Sequence, residues 1–362
     1  MSDIHGVTID MVPSKGSIMS STPPADIPTT PWKPPDPAQV PDLRAALAAQ
    51  MRAPFEISRT AEAIAGGRGS LIPPSRDPAE AARILCEQEY ERLTGAALYA
   101  VTASMTRLAV VAGESLPDFH LEPEDVPSPT GFMVFDEPIG SYVNTDGLTP
   151  ERFPIVAVSW GQYHRAGLPR GGLWITFYTP VDIPGMERQA ASLAGRPLRE
   201  RERMRIRALS GPLNWDNEAV IGYGSEQKAT YRPGASHDAK LDEFAPWSQT
   251  LRAAWVLMSQ PQIAEVEEVE PSRAARRRAQ RAGIDIHAVR VLHLRRLVRD
   301  HGQTEDDSPG REYTCRWMVR GHWRQQWYPS RGVHRPIWIN PHIKGPDDKP
   351  LRTGETVHLW DR

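Results

Sequence analysis

Hydrophobic positions first fall into a regular pattern after Asp77. Asp77 is a good N-cap, Pro78 suits the first helical position and Glu80 sits where a capping box needs an acid. The spacing predicts a helix to about Leu93. A second helix is expected from Gly95, with Leu98, Val101, Met105, Leu108 and Ala112 at steps of three and four and Gly113 and Pro117 as its stop. Apolar, β-branched and aromatic runs bounded by Gly and Pro follow at 131–135, 154–160 and 172–178, and each reads as a strand. Residues 186–209 read as helical and heavily charged, and 212–221 return to strand character. Trp247, Leu251, Ala254, Trp255 and Met258 line one face of a further helix ended by Pro261.

Beyond Pro261 the pattern changes. Glu265, Glu267, Glu268 and Glu270 precede a short helix that Ser272 can cap, that holds Arg273, Arg276, Arg277, Arg278 and Arg281, and that Gly283 can stop. Four strands are then expected at 287–298, 313–322, 335–343 and 356–360. Acidic turns at 305–310 and 345–348 fit an antiparallel meander. The reading is α+β: a mixed helix and strand domain at 77–262, a charged connector at 263–286 and a small antiparallel four-stranded β domain at 287–362. Residues 1–76 read as a disordered Pro-rich tail and linker, because nine prolines fall in 1–41 among Ser, Thr and Asp with few apolar side chains to offset ordering entropy.

Charge sharpens this division. The 362 residues have a net charge of −2, yet 271–336 hold fifteen Arg, no Lys and six acids, a local +9. Residues 337–362 are balanced, so 1–270 carry −11. Such asymmetry marks either a polyanion-binding half or a basic part that docks on an acidic one. The two cysteines, Cys86 and Cys315, form neither a disulfide framework nor a zinc motif, which fits a reducing compartment such as the cytoplasm. The longest apolar stretch, 96–113, contains Thr102, Ser104, Thr106 and Arg107 and is too short and polar to span a bilayer. No membrane association and no cofactor is implied.

The densest chemistry lies in 316–346. In a strand, Arg316, Met318, Arg320, His322 and Arg324 share one face, and Trp317, Val319, Gly321 and Trp323 share the other. A cationic face beside Trp327, Tyr328, Arg335 and Trp338 supplies Arg for phosphates and rings for unpaired bases. The same segment permits a metal-independent ribonuclease, with His322 and His334 moving protons and Arg320, Arg324 and Arg335 stabilising the phosphorane. His322, His334 and His342 match no zinc spacing. Asp216 and Glu218, at i and i+2, are candidates for a cation. Contiguous Ser236-His237-Asp238 is not how a triad is assembled, and Gly66-Gly-Arg-Gly-Ser70 lacks the lysine and spacing of a P-loop.

Trp317-Met-Val-Arg-Gly-His-Trp-Arg-Gln-Gln-Trp-Tyr-Pro329, His334-Arg-Pro-Ile-Trp-Ile339 and Lys344-Gly-Pro346 together resemble a signature found in a group of actinobacterial proteins, some phage- or plasmid-borne. The resemblance covers about 50 residues, implies a mobile-element role and carries no known activity with it. Three expectations follow from the sequence. One is a nucleic-acid-binding protein, for DNA or RNA, acting through the cationic C-terminal face. The second is the ribonuclease. The third is a scaffold or regulator whose basic and acidic parts bind each other or a protein partner.

Overall fold

Seven strands form the central sheet, in the order β7-β6-β5-β2-β1-β9-β8. In chain order they are β1 (Ala97–Val101), β2 (Gly131–Phe135), β5 (Ala157–Tyr163), β6 (Gly172–Pro180), β7 (Leu213–Gly222), β8 (Ala264–Val269) and β9 (Val289–Leu294). β1 lies between β2 and β9 and runs parallel to both. β5, β6 and β7 continue antiparallel from β2, and β8 is antiparallel to β9. A smaller ladder joins β3 (Gly140–Asn144) to β4 (Glu151–Ile155). The computed structural model describes residues 27–66, 73–144, 150–164, 168–224, 241–282, 286–295, 316–344 and 349. These residues make an α+β protein, and none of their helices is long and apolar enough to cross a membrane.

Period-two alternation places side chains on both faces of the sheet. Leu98, Ala100, Phe132, Val134 and Trp174 point into one apolar layer. It is covered by α1 (Val40–Met51) and α3 (Pro78–Thr94), with α2 (Pro54–Ala65) packed on α3. Tyr99, Val101, Met133, Phe135, Trp160 and Phe177 point into the other, covered by α4 (Ala103–Glu114) and α7 (Leu241–Met258). Trp160 stacks on Tyr99 and meets Trp255 of α7 edge-on at 5.2 Å. The expected apolar face of α7 is therefore a core face. Two further helices, α5 (Ile183–Ala194) and α6 (Glu200–Leu209), occupy the charged stretch between β6 and β7.

The capped helix at Asp77 forms as expected, with the Asp77 carboxylate accepting from the Ala79 N–H at 3.1 Å. The helix expected from Gly95 does not. The chain makes β1, turns at Thr102 and only then enters α4. A five-residue apolar run between two strands is buried on both faces, and in so short a run strand and helix patterns cannot be told apart. Thr102 holds the turn by donating its N–H and its hydroxyl to the Leu292 carbonyl, at 3.1 and 2.9 Å.

Two departures alter the expected domain organisation. Residues 27–66 are not tail. Pro28 and Thr30 exchange backbone hydrogen bonds with Arg152 of β4 (2.8 and 2.9 Å), and the Trp32 indole donates to the Phe135 carbonyl at 2.9 Å. Prolines that keep this segment extended suit it to lie along β4, while Pro41 and Pro54 sit in the first turns of α1 and α2. Val40, Leu47 and Met51 are fully buried. The remainder of the expected tail, 1–26, lies outside the described residues. The second departure is the connector. Its acidic stretch is β8, an edge strand whose Glu265, Glu267 and Glu268 are exposed, and β9 is a neighbour of the central strand β1. These elements extend the main sheet instead of linking two bodies. Ser272 does cap the Arg-rich helix α8 (Arg273–Ala282), accepting from the Ala275 N–H at 3.0 Å, whereas the stop expected at Gly283 lies outside the described residues.

The expected small antiparallel C-terminal part is present, and among the described residues its four strands pair two by two along one ribbon. β10 (Trp317–Val319) pairs with β13 (His342–Lys344), and β11 (His322–Tyr328) pairs with β12 (Val333–Ile339). Both pairings keep one antiparallel register, so they form a single hairpin interrupted at Arg320-Gly321 and Asn340-Pro341. The strand expected at 356–360 and the acidic turns at 305–310 and 345–348 lie outside the described residues.

Candidate nucleic-acid interface and adjoining cleft

The hairpin from Arg316 to Lys344 contains five Arg, one Lys and three His, and no Asp or Glu. Its middle is anchored on the α4 and α7 layer. Trp338 is 3% exposed and joins that core, meeting Trp323 edge-on at 5.2 Å. The Trp323 indole donates to the Ala112 carbonyl at 2.8 Å, and the Trp338 N–H donates to the Gln260 amide oxygen at 3.0 Å. Gly321 lies against the Trp338 ring, where a Cβ would come within 2.5 Å of the indole. Trp338, expected among the nucleic-acid contacts, is therefore a core residue. The two tryptophans were legible in the sequence, but the partner of Trp338 is about 80 residues away and that of Trp323 about 210.

Arg335 is also committed to the fold. It pairs with Asp125 at 3.0 Å, donates to the His120 carbonyl and lies over the Phe119 ring at 5.8 Å. Burial raises the Asp125 carboxyl above its usual range, and its carboxylate also accepts from the Glu122 N–H at 2.8 Å. Arg316 donates to the Lys349 carbonyl at 2.9 Å. Arg320 and Arg324 are different: both are exposed, and neither has a carboxylate partner among the described residues. His322 accompanies them, its ring Nδ1 at 3.0 Å from the Arg320 carbonyl. Near the turn, Trp327 is 45% and Tyr328 38% exposed, and Trp327 packs on His334 with ring centroids 4.8 Å apart.

Register separates the ribonuclease constellation. His322 is opposite Ile339 and His334 is opposite Trp327, five positions along the ribbon. At about 3.4 Å per residue this is roughly 17 Å, too far for both imidazoles to serve one phosphate. The expected set therefore divides. Arg320, His322 and Arg324 are together, Trp327, Tyr328 and His334 are together, and Arg335 and Trp338 hold the hairpin to the body. Among the described residues no group of three or more His, Cys, Asp or Glu is placed to hold a metal.

Beside the hairpin lies a cleft of about 540 Å³ that the sequence did not signal. Asp118, Phe119, His120 and Glu122 line one side, Gln325, Val333, His334 and Arg335 the other, with Arg170 and Gly224 between. Arg170 grips Glu122 through two hydrogen bonds, at 3.0 and 2.7 Å. His120 is within 3.1 Å of the Gly224 carbonyl, which makes its Nδ1 the donor. No spacing links these residues in the chain, so only the fold brings them together.

Asp216 and Glu218 do not form the cation site considered from their spacing. A bulge opposite Phe177 and Tyr178 leaves Asp216 out of the ladder, and its carboxylate accepts from the Tyr142 hydroxyl and the Asn217 amide. Glu218 is buried in the sheet. Burial pushes the Asp216 carboxyl up to about 6. A carboxyl whose pKa is higher folded than unfolded favours the fold while protonated, so its contribution is complete below about pH 4 and is lost as pH rises through about 6. Asp216→Asn should therefore gain stability relative to the natural protein as pH rises across that interval. Paired urea titrations at the two ends check it, and a difference independent of pH would refute it. Ser236-His237-Asp238 lies outside the described residues, as do all but the first glycine of Gly66–Ser70.

No protein-family model matches the sequence. No curated protein matches it either. Among solved structures, the crystal structure of AcrVA2 is similar at a TM-score of 0.37 and 12% identity, over 84% of this chain and 94% of that one. A likeness of that size does not define a shared fold.

Proposed function

We propose that this protein binds nucleic acid around its C-terminal hairpin, with phosphates on Arg320 and Arg324, one unpaired base on Tyr328, which shares a face with Arg324, and another on Trp327, on the opposite face with His334 of the cleft. The observation that carries this reading is an acid-free cationic ribbon whose two central guanidiniums have no carboxylate partner among the described residues. Two arginines do meet acids of the same chain: Arg335 pairs with Asp125 at 3.0 Å and Arg278 with Asp42 at 2.6 Å. Those pairs account for the anchoring of the hairpin and of α8, and leave Arg320 and Arg324 without a role in either. Phosphate contacts release counterions, and each contributes about 0.7 to the log–log salt slope for a single strand. Arg320→Ala combined with Arg324→Ala should shallow that slope by about 1.4 in fluorescence anisotropy with a mixed-sequence single-stranded oligonucleotide. An unchanged slope and affinity would remove the ribbon from the interface.

A further inference from the structure

The cleft beside the hairpin is not used by the ribbon contacts, and its chemistry differs from theirs. Both of its guanidiniums are neutralised, Arg170 by Glu122 and Arg335 by Asp125, so it offers little to a bare phosphate. It has instead the hydrocarbon of Phe119 and Val333, the amide of Gln325, the carboxylate of Asp118 and the imidazole of His334. Apolar walls with a few hydrogen-bonding groups of both polarities suit a flat heteroaromatic ring, and the volume lies in the range of small-molecule sites.

Position along the hairpin adds a second argument. Residues directly opposite one another share a face, so three pairs succeed each other on one face: Trp323 with Trp338, Gln325 with Pro336, and Trp327 with His334. The first is buried in the core and the last is the exposed aromatic step. Gln325, between them, borders the cleft, about 7 Å along the strand from Trp327. A strand whose base stacks on Trp327 therefore has a neighbouring nucleotide at the mouth of the cleft.

We infer that the cleft receives one unpaired base of the strand held on the hairpin and reads it through the Gln325 amide. This inference rests on the proposed function above. An amide that donates and accepts can hold a base edge by two hydrogen bonds, and such a pair discriminates against a wrong base by about tenfold or more. The test uses the full chain and four single-stranded homo-oligonucleotides of equal length, with affinities measured for the natural protein, for Gln325→Leu and for the Arg320, Arg324 double alanine variant. Gln325 is exposed, so the leucine variant keeps the fold. The natural protein is expected to separate the best from the worst homopolymer by about tenfold. Gln325→Leu should compress that range to within about twofold and keep the salt slope. The double arginine variant should keep the range and lose slope. Salt-dependent binding with no base preference, or a preference that Gln325→Leu leaves intact, would overturn the cleft reading while sparing the ribbon. Absence of binding to all four would overturn both.

Discussion

Glu89→Ala lowers the unfolding free energy by about 3–5 kcal/mol, the typical cost of removing one partner from a buried charged network. Glu89 is fully buried between α3 and the sheet. Its carboxylate accepts from Arg92 at 2.6 Å, from Ser159 at 2.6 Å, from Thr176 at 2.9 Å and from the Tyr178 hydroxyl. Burial alone would raise its pKa, but Arg92 and the hydroxyl donors outweigh that and hold it below the ordinary carboxylate value. Alanine leaves Arg92 nearly enclosed beneath Trp174 with no counter-charge, takes the acceptor from the Thr176 hydroxyl and leaves Ser159 and Tyr178 only each other, at 3.2 Å. Because the folded carboxyl is the stronger acid, its contribution is present above the unfolded pKa and is lost as pH falls through the lower folded value. Urea denaturation at neutral pH measures the loss. A change under about 1 kcal/mol would mean the network contributes no more than an exposed pair.

Trp338→Ala is expected to release the hairpin while leaving the sheet folded. Truncating a buried tryptophan removes about 3–5 kcal/mol, and here the ring fills the space between Gly321, Trp323 and the α7 layer. The hairpin is appended to that layer and, among the described residues, shares no ladder with the seven-stranded sheet. The loss should therefore appear as local opening. Amide exchange should accelerate across 322–339 and remain slow across 97–101 and 131–135. Trp338→Phe should lose less, since the buried indole N–H has no acceptor among the described residues. Equal acceleration in hairpin and sheet would show that the hairpin belongs to the cooperative core.

Much of the framework was legible because local chemistry specified it. Asp77 and Pro78 announced α3, Ser272 announced α8, and the Gly- and Pro-bounded apolar runs at 131–135 and 172–178 announced two buried strands. The shared face of His322 and Arg324 was also readable, because a strand face follows from period two alone, whereas the break at Arg320-Gly321 was not. Long-range pairing was not. Nothing within Ala97–Val101 says that it lies between β2 and β9, and nothing within Val289–Leu294 says that it leaves the C-terminal segment to join that sheet. Proline content suggested disorder at 28–41, yet an extended segment needs only a partner edge to be ordered, and β4 supplies it. The candidate site divides in the same way. Its exposed cations came from the hairpin's own sequence. The loss of Trp338 to the fold required α7 and Gln260 about 80 residues away, and the loss of Arg335 and the gain of Phe119 and Gln325 at the cleft required a loop some 200 residues distant.

The place of β9 bears on how the chain is made. β1 is complete by Val101, but the neighbour on one of its two edges is not synthesised until Leu294. While the ribosome adds nearly two hundred residues, a central strand keeps one row of backbone donors and acceptors open beside a fully apolar face. Parallel pairing at such separation is slow, and until it forms the nascent sheet is open to other chains. Chains ending before about residue 295 should therefore emerge as aggregation-prone intermediates, and release from the ribosome should become productive only once β9 has cleared the exit tunnel.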